Sequence, residues 1–134
     1  MNKVLAILLC CASFYSYNQT QEDLIGFWIF QKSKDQYLIF RKAKTNKKQE
    51  FGFKLMSKNR GKYWLKRPCS VGGESFQKVE LYWEYSEEYL KFEFQRTRSR
   101  IEECFQYIYS IEKIDSKKMS LKLVEKKVTE YILT

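Results

Sequence analysis

The chain has 134 residues, a formal net charge of +9 and no histidine. Its length suits one domain. The lack of histidine excludes the usual general base, the commonest metal ligand and any serine or cysteine nucleophile that histidine activates. We therefore expect a protein that is not an enzyme and that holds neither a cofactor nor a metal.

The first residues have the composition of a signal peptide. Lys3 supplies a positive charge, and residues 4–12 form an apolar stretch that is shorter than the roughly 20 residues needed to cross a bilayer. We expect residues 1–16 to be removed, leaving one domain over residues 17–134 with a net charge of +8. This predicts a secreted or periplasmic protein. Two neighbouring cysteines in the apolar stretch leave open the alternative of a lipid anchor.

Beyond the leader, apolar and polar residues alternate with a period of two, which is typical of β-strands with one buried face. Turn residues recur roughly every 10 to 14 positions. The pattern predicts an all-β fold, an antiparallel up-and-down barrel of about eight strands. The predicted strands cover residues 24–31, 36–42, 51–55, 62–67, 78–85, 89–96, 103–113 and 118–127, with 128–133 as a final strand or strand tail.

The segments between these strands carry turn and loop residues. Residues 43–48 are polar and basic, and we expect a hairpin loop there. Residues 59–61 read Asn-Arg-Gly and predict a tight turn, since asparagine and glycine tolerate positive φ. The longest irregular segment is predicted at residues 68–77.

Two cysteines, Cys69 and Cys104, remain after the leader. An even number of cysteines in an exported chain favours a disulfide over a metal site or a catalytic thiol. Such a bridge would stabilise the domain by roughly 3–4 kcal/mol. Two free, buried thiols are the alternative.

Aromatic residues make up 17% of the chain and fall largely on the inward faces of the predicted strands. Bulky rings fill the core of a small domain, which is one interpretation. A barrel of eight strands can instead hold one small ligand. The cavity for a small hydrophobic or amphipathic ligand would be lined by Trp83, Phe92, Phe94 and Tyr107.

Two arginines continue the inward alternation of the sixth predicted strand. Arg96 and Arg98 would then lie near the barrel mouth, where a guanidinium group can hold the anionic end of a ligand. If the strand ends before them, they belong to an exposed basic turn.

Basic residues cluster in two places, residues 41–48 and the group Lys58, Arg60 and Lys62. If neighbouring hairpins bring them together, they form a patch suited to an anionic membrane or polysaccharide. Predicted export argues against nucleic acid as a partner. Simple solvation of the lysines is the alternative.

The segment Leu24-Ile25-Gly26-Phe27-Trp28 resembles the G-x-W opening of small exported bacterial lipocalin-like proteins. The resemblance implies a lipocalin-like barrel over residues 17–134. It also implies structural roles for two residues. Gly26 would let the first strand bend, and Trp28 would plug the closed end of the barrel.

The sequence thus predicts an exported, monomeric, non-catalytic lipocalin-like protein that binds a small apolar or amphipathic ligand inside its barrel. The alternative is a packed structural or interaction module whose basic face docks on an anionic envelope surface.

Overall fold

A computed structural model describes residues 22–67 and 75–133. They form eight antiparallel strands that close into a barrel, which confirms the predicted all-β fold and its antiparallel barrel of about eight strands. The predicted signal peptide and Cys69 lie outside the described residues. The strands are β1 (Gly26–Lys34), β2 (Tyr37–Ala43), β3 (Gly52–Leu55), β4 (Arg60–Lys66), β5 (Phe76–Ser86), β6 (Tyr89–Arg98), β7 (Ile101–Ile114) and β8 (Lys118–Ile132).

The order of the strands around the barrel departs from chain order in one place. β1 lies between β2 and β3, and β2 closes the barrel against β8. From β3 to β8 each strand pairs with its neighbour in sequence. The chain after β2 must therefore pass β1 before it can enter β3.

Residues 44–51, which we name the crossover segment, make this connection over the outer face of β1. Ile29 points outward in β1, yet only 1% of its surface is exposed, and it is not part of the barrel core. Gln49 of the crossover segment accepts a hydrogen bond of 2.8 Å from the indole of Trp64 on β4. Within the segment, Asn46 exchanges hydrogen bonds of 2.8 and 2.9 Å with the backbone of Glu50. The hairpin loop predicted from residue 43 to 48 is thus wrong, because these residues lead into a crossover.

The turn between β3 and β4 lies two residues before the predicted glycine. Lys58 and Asn59 adopt the positive φ angles of the turn, 61° and 62°. Gly61 lies inside β4, where an added Cβ would come within 2.2 Å of the carbonyl oxygen of Lys54. The glycine is therefore needed for close approach of two strands and not for the turn itself.

The later strands run close to their predicted bounds but are longer. β6 extends to Arg98, so the alternative in which the strand ends before its arginines is wrong. β8 is one continuous strand through Ile132, so the predicted eighth strand and its tail are a single element.

Candidate functional site

The aromatic residues predicted to line a cavity all face the barrel interior. Trp83 lies at the end where β1 begins, and its indole donates to the carbonyl groups of Met56 and Arg60, at 3.0 and 2.7 Å. Phe92 is fully buried next to it along the pairing of β5 with β6. Tyr107 lies directly opposite Phe92 in the pairing of β6 with β7, and Phe94 is the next inward residue of β6. The four side chains are therefore neighbours on three adjacent strands.

Ring-to-ring contacts fill the interior around these side chains. Phe92 has its centroid 4.8 Å from that of Phe53 and 5.5 Å from that of Tyr109. Phe94 stacks on Tyr63 at 4.2 Å and on Phe105 at 4.9 Å. Separations of this size are those of packed aromatic pairs. The described interior is thus a packed aromatic core.

One end of the barrel, which we name the closed end, is blocked by buried side chains. Trp28 is fully buried there, and its indole donates a hydrogen bond of 2.8 Å to the carbonyl of Leu24. The Lys42 ammonium lies 5.4 Å from the centre of the Trp28 ring. Gly26 has a φ of +139°, a conformation that side chains rarely adopt, and an added Cβ would lie 2.9 Å from Cε of Lys42. Gly26 thus lies at the beginning of β1, and Trp28 is buried at the closed end of the barrel.

The opposite end, the mouth, holds the two predicted arginines and a carboxylate that the sequence analysis did not single out. Arg96 forms an ion pair of 2.9 Å with Glu103, and the two side chains are only 12% and 7% exposed. A second Arg96 nitrogen donates to the carbonyl of Lys66 at 3.1 Å. Arg98 is half exposed and lies 3.8 Å from the same carboxylate. Arg96 is therefore already paired, whereas Arg98 has the more accessible guanidinium group.

The sequence contained a signal for Glu103. Phe105, Tyr107 and Tyr109 face inward at every second position of β7. The same two-residue period predicts that Glu103 faces inward as well. The pairing of β6 with β7 places it directly opposite Arg96.

Two buried phenols lie in the core between β4 and β7. Burial raises the pKa of Tyr63 well above its usual value, and the nearby phenols of Tyr109 and Tyr107 raise it further. Burial also raises the pKa of Tyr109 and, to a lesser extent, that of Tyr107. The cause is that a phenolate would lose its hydration inside the barrel.

We expect the free energy of unfolding to fall as the pH rises above about 10. Below that pH the phenols of Tyr63 and Tyr109 are neutral in both states, and their stabilising contribution is complete. Above it the unfolded chain releases protons that the folded chain retains, and the free energy of unfolding falls by about 1.4 kcal/mol per pH unit for each phenol.

Urea unfolding at a series of alkaline pH values measures this slope of the free energy of unfolding against pH. Replacing both tyrosines by phenylalanine should remove about 3 kcal/mol per pH unit of it. An unchanged slope in the double variant would contradict the burial of these phenols.

Basic side chains gather on the outer face formed by β3, β4 and the crossover segment. Lys54 points outward between two buried residues, and the register places it directly opposite Lys62. Its ammonium lies 4.8 Å from the ring of Phe27, and that ring lies 6.1 Å from Trp64, which holds the crossover segment. We name as the basic face the residues Lys47, Lys48, Lys54, Lys58, Arg60 and Lys62.

Few acidic groups neutralise the basic face in the described part of the chain. Lys62 pairs with Glu80, and the hydrogen bond from Lys62 is the main reason that the pKa of Glu80 is lowered. Lys54 lies directly opposite Lys62, and like charges so placed in a sheet are unfavourable unless a counter-charge such as that of Glu80 lies beside them. The contact between Gln49 and Trp64 places the crossover segment, which carries Lys47 and Lys48, against β4, which carries Arg60 and Lys62.

A groove of about 740 Å³ runs along the outer face of β5 to β8. Its walls include Tyr82, Gln95, Gln106 and Lys127, together with Cys104. Cys104 is a free thiol in this structure. Because its predicted partner Cys69 lies outside the described residues, the disulfide stays a prediction.

Together these features define a small closed β-barrel with a packed interior and a basic outer face. Comparison with protein-family models, with curated proteins and with solved structures found no match. The lipocalin-like resemblance of Gly26 and Trp28 therefore stays a prediction. Over residues 22–67 and 75–133, no three or more acidic or cysteine side chains gather in a way that would hold a metal ion, and no helix is long and apolar enough to cross a membrane.

Proposed function

We propose that this protein is a non-catalytic binding module that docks its basic face on an anionic membrane surface. The observation that carries the proposal is the packed aromatic interior, in which Phe92 is fully buried between the rings of Phe53 and Tyr109. Because the side chains of the barrel itself occupy its centre, the outer surface remains for binding. The proposal rests on the export predicted from residues 1–16.

The charge arrangement supports an anionic partner. Lys54 and Lys62 face each other across two strands, Glu80 pairs with Lys62, and lipid phosphates would supply the counter-charge for Lys54. Each basic residue near an anionic membrane surface contributes about 1 kcal/mol of attraction, which salt screens. The rings of Phe27 and Trp64 lie beside these lysines but are largely covered, so that the attraction would be mainly electrostatic.

We expect reversal of two charges on the basic face to weaken binding to anionic vesicles at least about 30-fold. The variant Lys54→Glu with Lys58→Glu is measured by cosedimentation with phosphatidylglycerol vesicles at low and physiological salt. Phosphatidylcholine vesicles should not bind the wild-type protein.

The matched control reverses two exposed lysines elsewhere on the barrel, Lys113→Glu with Lys127→Glu, on β7 and β8. This change alters the net charge equally, and we expect it to weaken binding several-fold less. If both double variants lose the same affinity, attraction depends on net charge alone and the basic face has no special role.

A second candidate function is the capture of one amphipathic molecule at the mouth. Partly buried apolar side chains pack around the core there, among them Phe30, Leu38, Leu65 and Tyr107. At the same end the guanidinium group of Arg98 is half exposed and lies 3.8 Å from Glu103. A fluorescent fatty acid probes this function. Saturable binding that Arg98→Glu weakens and that leaves vesicle binding intact would favour it over the first.

A further inference from the structure

Within residues 22–67 and 75–133, one edge of β8 has no partner strand over most of its length. β2 pairs with β8 only at residues 118–122, ending with Tyr37 opposite Lys122. From residue 123 to 132 the described chain pairs β8 with β7 alone. An unpaired strand edge presents free N–H and C=O groups to any chain that can add to the sheet.

Exposed apolar side chains are concentrated on this same segment. Val124 is 56% exposed and Ile132 is 81% exposed. Six of the nine large hydrophobic residues that are exposed in the described chain lie on this segment or directly after it: Leu123, Val124, Val128, Tyr131, Ile132 and Leu133. The register with β7 places them on both faces of the strand, and exposed apolar side chains in such number are typical of a segment that a partner covers.

The backbone groups of alternate residues point toward the free edge. The N–H of Leu133 donates to the carbonyl of Arg100 at 2.7 Å, on the β7 side. In an antiparallel strand the backbone groups of neighbouring residues point to opposite sides. The amides of Lys126, Val128 and Glu130 therefore point away from β7 and are available for pairing.

The sequence of this edge is complementary to itself. If two copies pair antiparallel with a twofold axis at Val128, Lys126 of each copy lies opposite Glu130 of the other, which gives two opposite-charge pairs. In the same register the two Val128 side chains meet. A register centred on Lys127 would place two lysines face to face, and like charges directly opposite each other are unfavourable.

We propose that a second copy of this chain pairs with the free edge of β8, residues 123–132, in the register centred on Val128. The sheets of the two barrels then continue into each other through about six new backbone hydrogen bonds. This goes beyond the monomer expected from the sequence. It does not depend on the basic face, which lies on other strands.

Charge reversal tests the register. Sedimentation of the purified protein over a range of concentrations should show a dimer, and both Lys126→Glu and Glu130→Lys should raise its dissociation constant at least about tenfold. The double variant restores the opposite-charge pairs, and its dissociation constant should return to near that of the wild type. A wild-type protein that stays monomeric at millimolar concentration would overturn the proposal, and so would a double variant as weak as the single ones.

Cross-linking tests the position of the axis independently of charge. Opposing residues of a hydrogen-bonded pair have Cα atoms about 5.5 Å apart, within the reach of a disulfide. Val128→Cys should therefore give a covalent dimer under mild oxidation, with peptide mass spectrometry showing the two introduced thiols joined. Lys126→Cys is the control, because this register separates its two copies by about 13 Å along the strands. A dimer that cross-links equally well in both variants, or in neither, would overturn the register.

Discussion

Truncating Phe92 to alanine is expected to lower the free energy of unfolding by about 3–5 kcal/mol. Phe92 is fully buried, and its ring contacts those of Phe53, Tyr63 and Tyr109. Removing the ring loses its transfer free energy and leaves a cavity that the rigid barrel wall cannot collapse to fill. For a domain whose total stability is about 5–15 kcal/mol, this is a large fraction.

The same truncation at Tyr89 provides a control in the same strand. Tyr89 is 48% exposed, so we expect Tyr89→Ala to cost less than about 1 kcal/mol. Urea unfolding of both variants measures the difference. A loss at Phe92 of only about 1 kcal/mol would mean that the centre of the barrel is loosely packed. That result would favour the small-molecule cavity over the packed interaction module.

Removing the carboxylate of Glu103 is expected to destabilise the fold by about 3–5 kcal/mol. The variant Glu103→Ala leaves the guanidinium group of Arg96 largely buried without its partner, beside Arg98. The loss of attraction is then combined with the cost of an uncompensated charge away from water.

Two further variants separate the cost of an orphaned charge from the value of the pair. Arg96→Leu together with Glu103→Leu removes both charges, and we expect it to recover much of the lost stability, because the desolvation cost disappears as well. The exposed pair of Arg41 and Glu50 is the control, at 3.2 Å with both side chains nearly half exposed. Glu50→Ala should cost less than about 1 kcal/mol. Equal losses for Glu103→Ala and Glu50→Ala in chemical denaturation would show that the mouth pair is solvated.

Alternation in the sequence was sufficient to predict β5, β6 and β7 and the direction of their side chains. Trp83, Phe92 and Tyr107 face inward because a strand with one buried face places its apolar residues at every second position. The inward direction of Arg96 follows from the same rule, and the structure confirms that the strand continues through it. Whether a segment forms a strand, and which of its side chains face inward, depends on neighbouring residues, so that the local pattern is enough to predict both.

The order of the strands around the barrel could not be predicted from such patterns. Nothing in residues 43–48 distinguishes a hairpin loop from a segment that crosses β1, since both are polar and basic. The distinction depends on Ile29 and Trp64, whose outward side chains the crossover segment covers. The packed state of the interior was equally hidden, because the same rings can fill a core or line a cavity. Both features depend on contacts between residues far apart in sequence.

Closure of the barrel by β2 and β8 has a consequence for biosynthesis. The pairing of Tyr37 with Lys122 joins an early strand to a late one, so a nascent chain cannot complete its sheet until β8 has left the ribosome. A product of premature termination before Lys118 would present two long unsatisfied margins, on β2 and β7, to its neighbours. Correct folding of this protein should therefore require a messenger RNA that encodes the whole of β8.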